Sequence, residues 1–263
     1  MNFPIAIYNR ERPNRFLAAV SPILAVILTL ALGGAIFAMV GKEPLYSLYV
    51  FCVEPLLTLR GWGELGVKMT PLILCALGLV VCYRANIWNI GAEGQLIIGA
   101  LCGGYVALQA SPDQSGLFMI WVILASIVGG ALYASITAWL RDKCNANEIL
   151  VSLMLVYVAE LLLSWAVQSP LRDPQGLGFP QSPMFETAAT LPIMIPGTRM
   201  HWGGGLVVIS LFLIWLIMSK MFIGFQVRVA GLAPKASSYA GFSNRAMIYF
   251  ALLLSGALAG LAG

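Results

Sequence analysis

Two carboxylates stand where an apolar chain must account for them. Glu93 lies in the segment Asn86-Ile-Trp-Asn-Ile-Gly-Ala-Glu-Gly-Gln95, and Glu160 lies inside the apolar run 149–168. An ionised carboxylate surrounded by hydrocarbon is costly, so each should face protein or water and is a candidate for lining a pathway or coupling to an ion. For Glu160 a hydrogen-bonded packing role against a neighbouring helix is the competing reading. Asn86, Asn89, Gly91 and Gly94 are poor helix formers. A helix broken among them frees backbone groups that are tolerated only inside protein or along a wet cavity. Asn89, Glu93 and Gln95 are therefore candidate broken-helix or pathway residues. The alternative is a tight turn in which Glu93 favours the positive N-terminus of the next helix. Asn145 and Glu148 have capping-box spacing before the run that starts at Ile149, and are expected to satisfy that helix's first amides reciprocally.

Little else in the chain could do chemistry. His201 is the only histidine and, beside Arg199 and Trp202, reads as an interfacial loop residue. Cys52, Cys75, Cys82, Cys102 and Cys144 show no CxxC spacing and no histidine cluster, so no metal site or disulfide framework is indicated. No GxxxxGK[ST] phosphate loop occurs. The chain is therefore not expected to be an enzyme or to hold a cofactor. A lipid-modifying enzyme would need clustered acids, histidine or a nucleophile at the interface, which this sequence lacks.

The elements that position these residues follow from composition. Of 263 residues, 60% are hydrophobic and only 10% charged. Soluble domains carry about 25% charged residues, so this surface faces lipid. Mean hydropathy is +0.87. About 20 apolar residues cross a bilayer core as a helix, and the runs 16–40, 65–83, 92–110, 117–140, 149–168, 203–222 and 246–263 predict an all-α polytopic bundle of about seven spans. The runs are continuous and do not alternate with period two, which favours helices over a barrel. The first follows Arg10, Arg12 and Arg15 and is too long for a cleavable signal core. One transmembrane domain over 1–263 is expected, with a basic cytoplasmic tail at 1–15 and a cytoplasmic loop at 223–245. With the N-terminus inside, Arg10, Arg12, Arg15, Arg84, Arg141, Lys143, Lys220, Arg228, Lys235 and Arg245 fall on the cytoplasmic side. Lys42, Arg60, Lys68, Arg172 and Arg199 fall outside, a split that obeys the positive-inside rule. The net charge of +4 is thus a topology signal, and the scattered basic residues do not point to nucleic acid.

The connections carry further information. Residues 41–64 hold apolar pieces too short to span and read as an interfacial or re-entrant segment. Residues 169–202, rich in proline and glycine, read as an outer loop able to shape an entrance. Gly224-Phe-Gln-Val-Arg-Val-Ala-Gly-Leu-Ala-Pro-Lys-Ala-Ser-Ser-Tyr-Ala-Gly241 predicts a short helix that starts at Pro234, runs to about Tyr239 and stops at Gly241. Such a helix suits a soluble partner's grip or a lipid surface. Gly256, Gly260 and Gly263 call for close helix neighbours. The last run reaches Gly263 without a polar flank, so the natural chain is expected to continue.

Several of these segments resemble one family. Asn89-Ile-Gly-Ala-Glu-Gly-Gln95 is similar to the NIGxEGQ signature of ABC-importer permeases of the branched-chain amino acid, ribose and nucleoside superfamily, above all its nucleoside and simple-sugar branch. Thr70-Pro-Leu, Asn147-Glu148 with Ser152-Leu-Met154, Pro170-Leu-Arg-Asp-Pro174 and Gly224–Gly241 match further motifs in the same order. The resemblance implies a permease subunit of a bacterial inner-membrane importer for a nucleoside, sugar or nucleobase. It implies a second permease subunit, usually in a heterodimer, ABC ATPase subunits that bind ATP and Mg, and an extracytoplasmic solute-binding protein. It places ATPase coupling on Arg228, Gly231, Pro234, Lys235, Tyr239 and Gly241. Val229 and Ala233 depart from the family's Ala and Asn, and Ser237 and Ser238 from its small or apolar residues. Val156 and Glu160 replace Asn and an apolar residue, which puts the solute in doubt. An ion-coupled transporter using Glu93 and Glu160, or a passive channel, is the rival reading.

Overall fold

A backbone surrounded by hydrocarbon must satisfy its amides and carbonyls internally, so apolar runs of this length become helices. The computed structural model describes residues 15–111 and 113–263. The expected basic tail at Arg10 and Arg12 lies outside the described residues, and Arg15 begins the first helix. The described chain forms two units, one ending at Trp62 and one running from Gly63 to Gly263.

The first unit contains α1 (Arg15–Met39), α2 (Pro44–Cys52), α3 (Glu54–Leu57) and the start of α4 (Leu59–Arg84). Helices α2 and α3 are too short to span, as expected for 41–64, and each opens with a proline in its first turn. Proline is pre-set for that position, where its missing amide costs nothing. Leu48 of α2 stands against Gly33 and Gly34 of α1. The Trp62 indole donates to the Leu56 carbonyl at 2.9 Å, which fixes the entry into α4.

The second unit holds the rest of α4, then α5 (Ala92–Ala107), α6 (Phe118–Cys144), α7 (Glu148–Gln168), α8 (Gly203–Lys220), α9 (Phe222–Leu232), α10 (Pro234–Tyr239) and α11 (Asn244–Ala262). No strand occurs among the described residues, and Ile193 and His201 form one isolated antiparallel bridge. Helix α11 packs on α6 at a glycine seam. A Cβ on Gly130 would stand 2.3 Å from the Gly256 carbonyl oxygen, and one on Gly260 would stand 2.2 Å from that of Ser126. Side chains there would force the helices apart, which is why the glycines of the last run find their close neighbours within this chain. Leu74, Val81, Cys82, Val227, Ala251 and Leu252 fill the buried core beside this seam.

Among the described residues, six helices are long and apolar enough to cross a membrane. The run 92–110 is the exception to the seven expected. It forms α5, which has 16 residues, or about 24 Å at a rise of about 1.5 Å per residue. The helix starts at Ala92 as expected and falls short at its other end, where the Gln109 and Ala110 amides donate to the Val106 and Ala107 carbonyls and the chain turns. The stretch after α8 also differs from expectation. It does not run as a loop from 222 but forms α9, which doubles back so closely that a Cβ on Gly224 would stand 2.3 Å from the Ile217 carbonyl oxygen. In the connection after α7, His201 Nδ1 accepts from the Gly203 amide at 3.1 Å and caps α8. Arg199 pairs with Glu64 at 3.6 Å.

Candidate functional site

Helix α4 ends at Arg84, and Asn86 turns the chain with φ of 55°. Asparagine tolerates this left-handed conformation better than most side chains. The segment then re-enters the bundle. Ile87 and Asn89 are each only 1% exposed and Gln95 only 2%. Asn89 Nδ2 donates to Gln95 Oε1 at 3.1 Å and to Ser255 Oγ of α11 at 3.0 Å. Gln95 Nε2 donates back to Asn89 Oδ1 at 3.2 Å. The same Asn89 oxygen accepts the Gly91 amide at 3.0 Å, and Ser152 Oγ of α7 accepts the Ile90 amide at 3.2 Å. Two backbone amides freed by the break are thus held by side chains, as buried backbone requires. Ser152 lies about one turn, and Ser255 about three turns, inward from the starts of their helices at 3.6 residues per turn. The connection is therefore more enclosed than a surface turn, while Glu93 stands in the first turn of α5 as the tight-turn reading expects.

Of the sequence candidates, Asn89 and Gln95 come together, whereas Glu93 and Glu160 do not join them. Both carboxylates lie on the exposed surface of the chain and neither forms an ion pair with another described residue. Composition and spacing could not reveal Ser255, which reaches Asn89 only through tertiary packing. Ser152 stands in the motif Ser152-Leu-Met154, but its bond to the Ile90 amide is likewise tertiary.

The cap assigned to Asn145 and Glu148 is corrected. Asn145 closes α6 in the left-handed conformation at φ 49°. Asn147 is the N-cap of α7, its Oδ1 accepting the Ile149 amide at 2.9 Å. Glu148 turns to Arg141 and forms an ion pair at 2.9 Å. The left-handed turn at Asn145 spends that residue on the preceding helix, so reciprocal capping three residues apart has no geometry to work in.

The coupling candidates lie at the same end of this unit. Gly231 of α9 backs onto the end of α4, where a Cβ would meet the Arg84 carbonyl oxygen at 2.2 Å. Arg228 Nε donates to the Gly224 carbonyl at 3.3 Å. Helix α10 begins with Pro234 at its first position, and Gly241 follows it with φ of 80°, as predicted. Lys235 and Tyr239 project from α10, Tyr239 with 94% of its surface exposed. Ser237 is buried beneath them. Asn244 Nδ2 donates to the Pro234 carbonyl and to Ser238 Oγ, both at 3.0 Å, and so ties α10 to α11. Phe242 meets Phe222 and Phe225 edge-on, with centroids 5.7 and 6.2 Å away. A six-residue helix has little stability of its own, and these ties keep it formed on the surface.

Residues 64–263 match the family model described as "Branched-chain amino acid transport system / permease component". A glucose ABC transporter permease protein of Haloferax volcanii is 36% identical over all of this chain and 71% of its own length. A nucleoside ABC transporter permease protein of Lactococcus lactis is 28% identical, with 92% of this chain and 68% of the relative covered. A guanosine ABC transporter permease protein of Bacillus subtilis is 28% identical, with 92% and 70% covered. No solved structure matches significantly.

Proposed function

This chain belongs to the family of branched-chain amino acid transport system permease components, and from that premise we propose that it forms the membrane pathway of an ABC importer. In this reading α10 is the surface gripped by a separate ATPase subunit, which binds ATP and Mg. The observation that carries the proposal is the build of α10: short, fixed at both ends, and presenting Lys235 and an almost fully exposed Tyr239. An exposed aromatic beside a cation on a rigid helix suits a protein partner, because aromatic anchors dominate interface energetics. Arg228, Gly231 and Pro234 hold the shape of this surface, and Gly241 ends it. Arg84, Arg141, Lys143, Lys220, Arg228, Lys235 and Arg245 gather towards this end, which supports a cytoplasmic assignment for it and for the N-terminus.

The relatives' names support a small polar solute of the sugar or nucleoside class. A second permease subunit in a heterodimer, an extracytoplasmic solute-binding protein and the lipid of a bacterial inner membrane complete the proposed assembly. The two units serve one transmembrane permease domain. Glu93 and Glu160 are assigned to the solute pathway or to the partner permease surface, and Asn89 and Gln95 to holding the broken segment. No step of covalent chemistry is assigned to this chain. Co-purification from the native membrane tests the role of α10. Tyr239→Ala is expected to reduce retained ATPase by about tenfold or more, the scale set by an aromatic anchor, while the permease stays folded. Retention equal to the parent removes α10 from the ATPase contact.

A further inference from the structure

Helix α10 is six residues long and joins α9 through Ala233, so a pull on it leaves through that join and through few side-chain bonds. Its polar tie to the bundle is Asn244, which holds the Pro234 carbonyl and Ser238 Oγ. The next residue, Arg245, donates from Nε to Asp142 Oδ1 at 2.5 Å on the last turn of α6. Asp142 is well buried, its side chain 9% exposed, and its second oxygen has no hydrogen-bond partner, with Lys143 Nζ at 3.9 Å. Its sequence neighbour Arg141 pairs with Glu148 on the first turn of α7. Arg141, Asp142, Glu148 and Arg245 line a cleft of about 440 Å³ together with Asn145 and Asn147. One turn further along α7, Ser152 holds the Ile90 amide of the inserted segment.

We propose that the Arg245–Asp142 ion pair is the strut that carries displacement of α10 into the α6–α7 hairpin and, through Glu148 and Ser152, to the broken segment at Asn89. The inference rests on α10 being the ATPase contact. The glycine seam between α11 and α6 lies about three turns inward of Arg245. The first turn of α11, which bears Asn244, therefore needs its own tie if it is to move with α6. Asp142 is largely enclosed while Arg245 is 60% exposed, so the pair is shielded from solvent on the carboxylate side only. Separating it leaves an enclosed carboxylate with Lys143 3.9 Å away, which favours the two groups moving together. Arg141 and Glu148 continue the same charge row, which makes the ends of α6, α7 and α11 one mechanical unit. Arg245 and Asp142 are positioning residues in this account; neither touches the solute.

The test uses the whole complex in membrane vesicles and reads solute taken up per ATP hydrolysed, alongside ATPase retention. Arg245→Ala and Asp142→Asn should each keep the ATPase bound and hydrolysing while uptake per ATP falls about fivefold or more, the lower range of typical coupling effects. Arg245→Lys should restore the ratio to within about twofold of the parent, and the double variant should be no worse than either single one, as expected for two groups in one interaction. Arg245→Gln, which loses the charge while keeping a long polar side chain, must show the same fall and serves where the Ala variant does not reach the membrane. An unchanged ratio, a multiplicative double variant, or loss of ATPase retention in Arg245→Ala overturns the proposal. If Tyr239→Ala sheds the ATPase and the Arg245 variants keep the parental ratio, the strut alone is wrong. If Tyr239→Ala sheds nothing, the role of α10 itself fails.

Discussion

Asn89 and Glu93 are neighbours in one apolar segment, yet burial separates their roles. Asn89 is enclosed and bonded to Gln95, Ser255 and the Gly91 amide, whereas Glu93 is exposed on the first turn of α5. Removing the Asn89 side chain strands the Gly91 amide, Gln95 and Ser255 together. Asn89→Ala should therefore destabilise the folded chain by about 1–3 kcal/mol, the cost of leaving buried polar groups unpaired. Glu93→Gln should stay within about 0.5 kcal/mol of the parent, as exposed substitutions usually do. Thermal melting of the detergent-solubilised complex compares the two, and equal shifts would contradict the buried-lock account. The residue types here were legible because polar groups and glycines interrupt an apolar run. The partner across the bundle was not, since Ser255 lies 166 residues away and hydrophobic periodicity describes only local neighbours.

Helix existence was legible across most of the chain because twenty apolar residues in lipid leave the backbone one conformation. Helix ends were less so. A pair of residues three apart met the capping-box rule at Asn145 and Glu148, but the rule does not register that the first of them closes α6. The observed geometry gives opposite predictions for two nearby asparagines. Asn147→Ala removes a real cap and should cost about 0.5–2 kcal/mol. Asn145→Gly relieves a left-handed side chain and should be neutral or stabilising. Unfolding of the two variants under the same conditions checks this, and a larger loss at Asn145 would restore the original cap. Helix α5 shows the same limit on a larger scale. Its length could not be read from the apolar run, because the chain turns after Ala107 while the residues stay mostly apolar. Helix α9 was missed because its approach to α8 at Gly224 is a tertiary event.

At the scale of the whole molecule, the depletion of charge sets the class and the asymmetry of the remaining charge sets the proposed orientation. Neither identifies a transport system. That came from ordered motifs, chiefly Asn89–Gln95 and Gly224–Gly241, and the match over 64–263 establishes it. The structure adds a division of labour within those motifs: the first is a buried brace and the second presents a surface. What weighs against the rival ion-coupled reading is the family match and the ABC transporter permeases among the relatives, since exposed Glu93 and Glu160 fit either reading. In the proposed assembly, work enters this chain through a partner ATPase and not through an ion gradient. The most direct measurement is uptake of a labelled sugar or nucleoside into vesicles carrying the purified complex, with ATP and an imposed proton or sodium gradient supplied separately. The account predicts accumulation with ATP alone, abolished when the ATPase subunit is omitted. Accumulation driven by the gradient without the ATPase would contradict it.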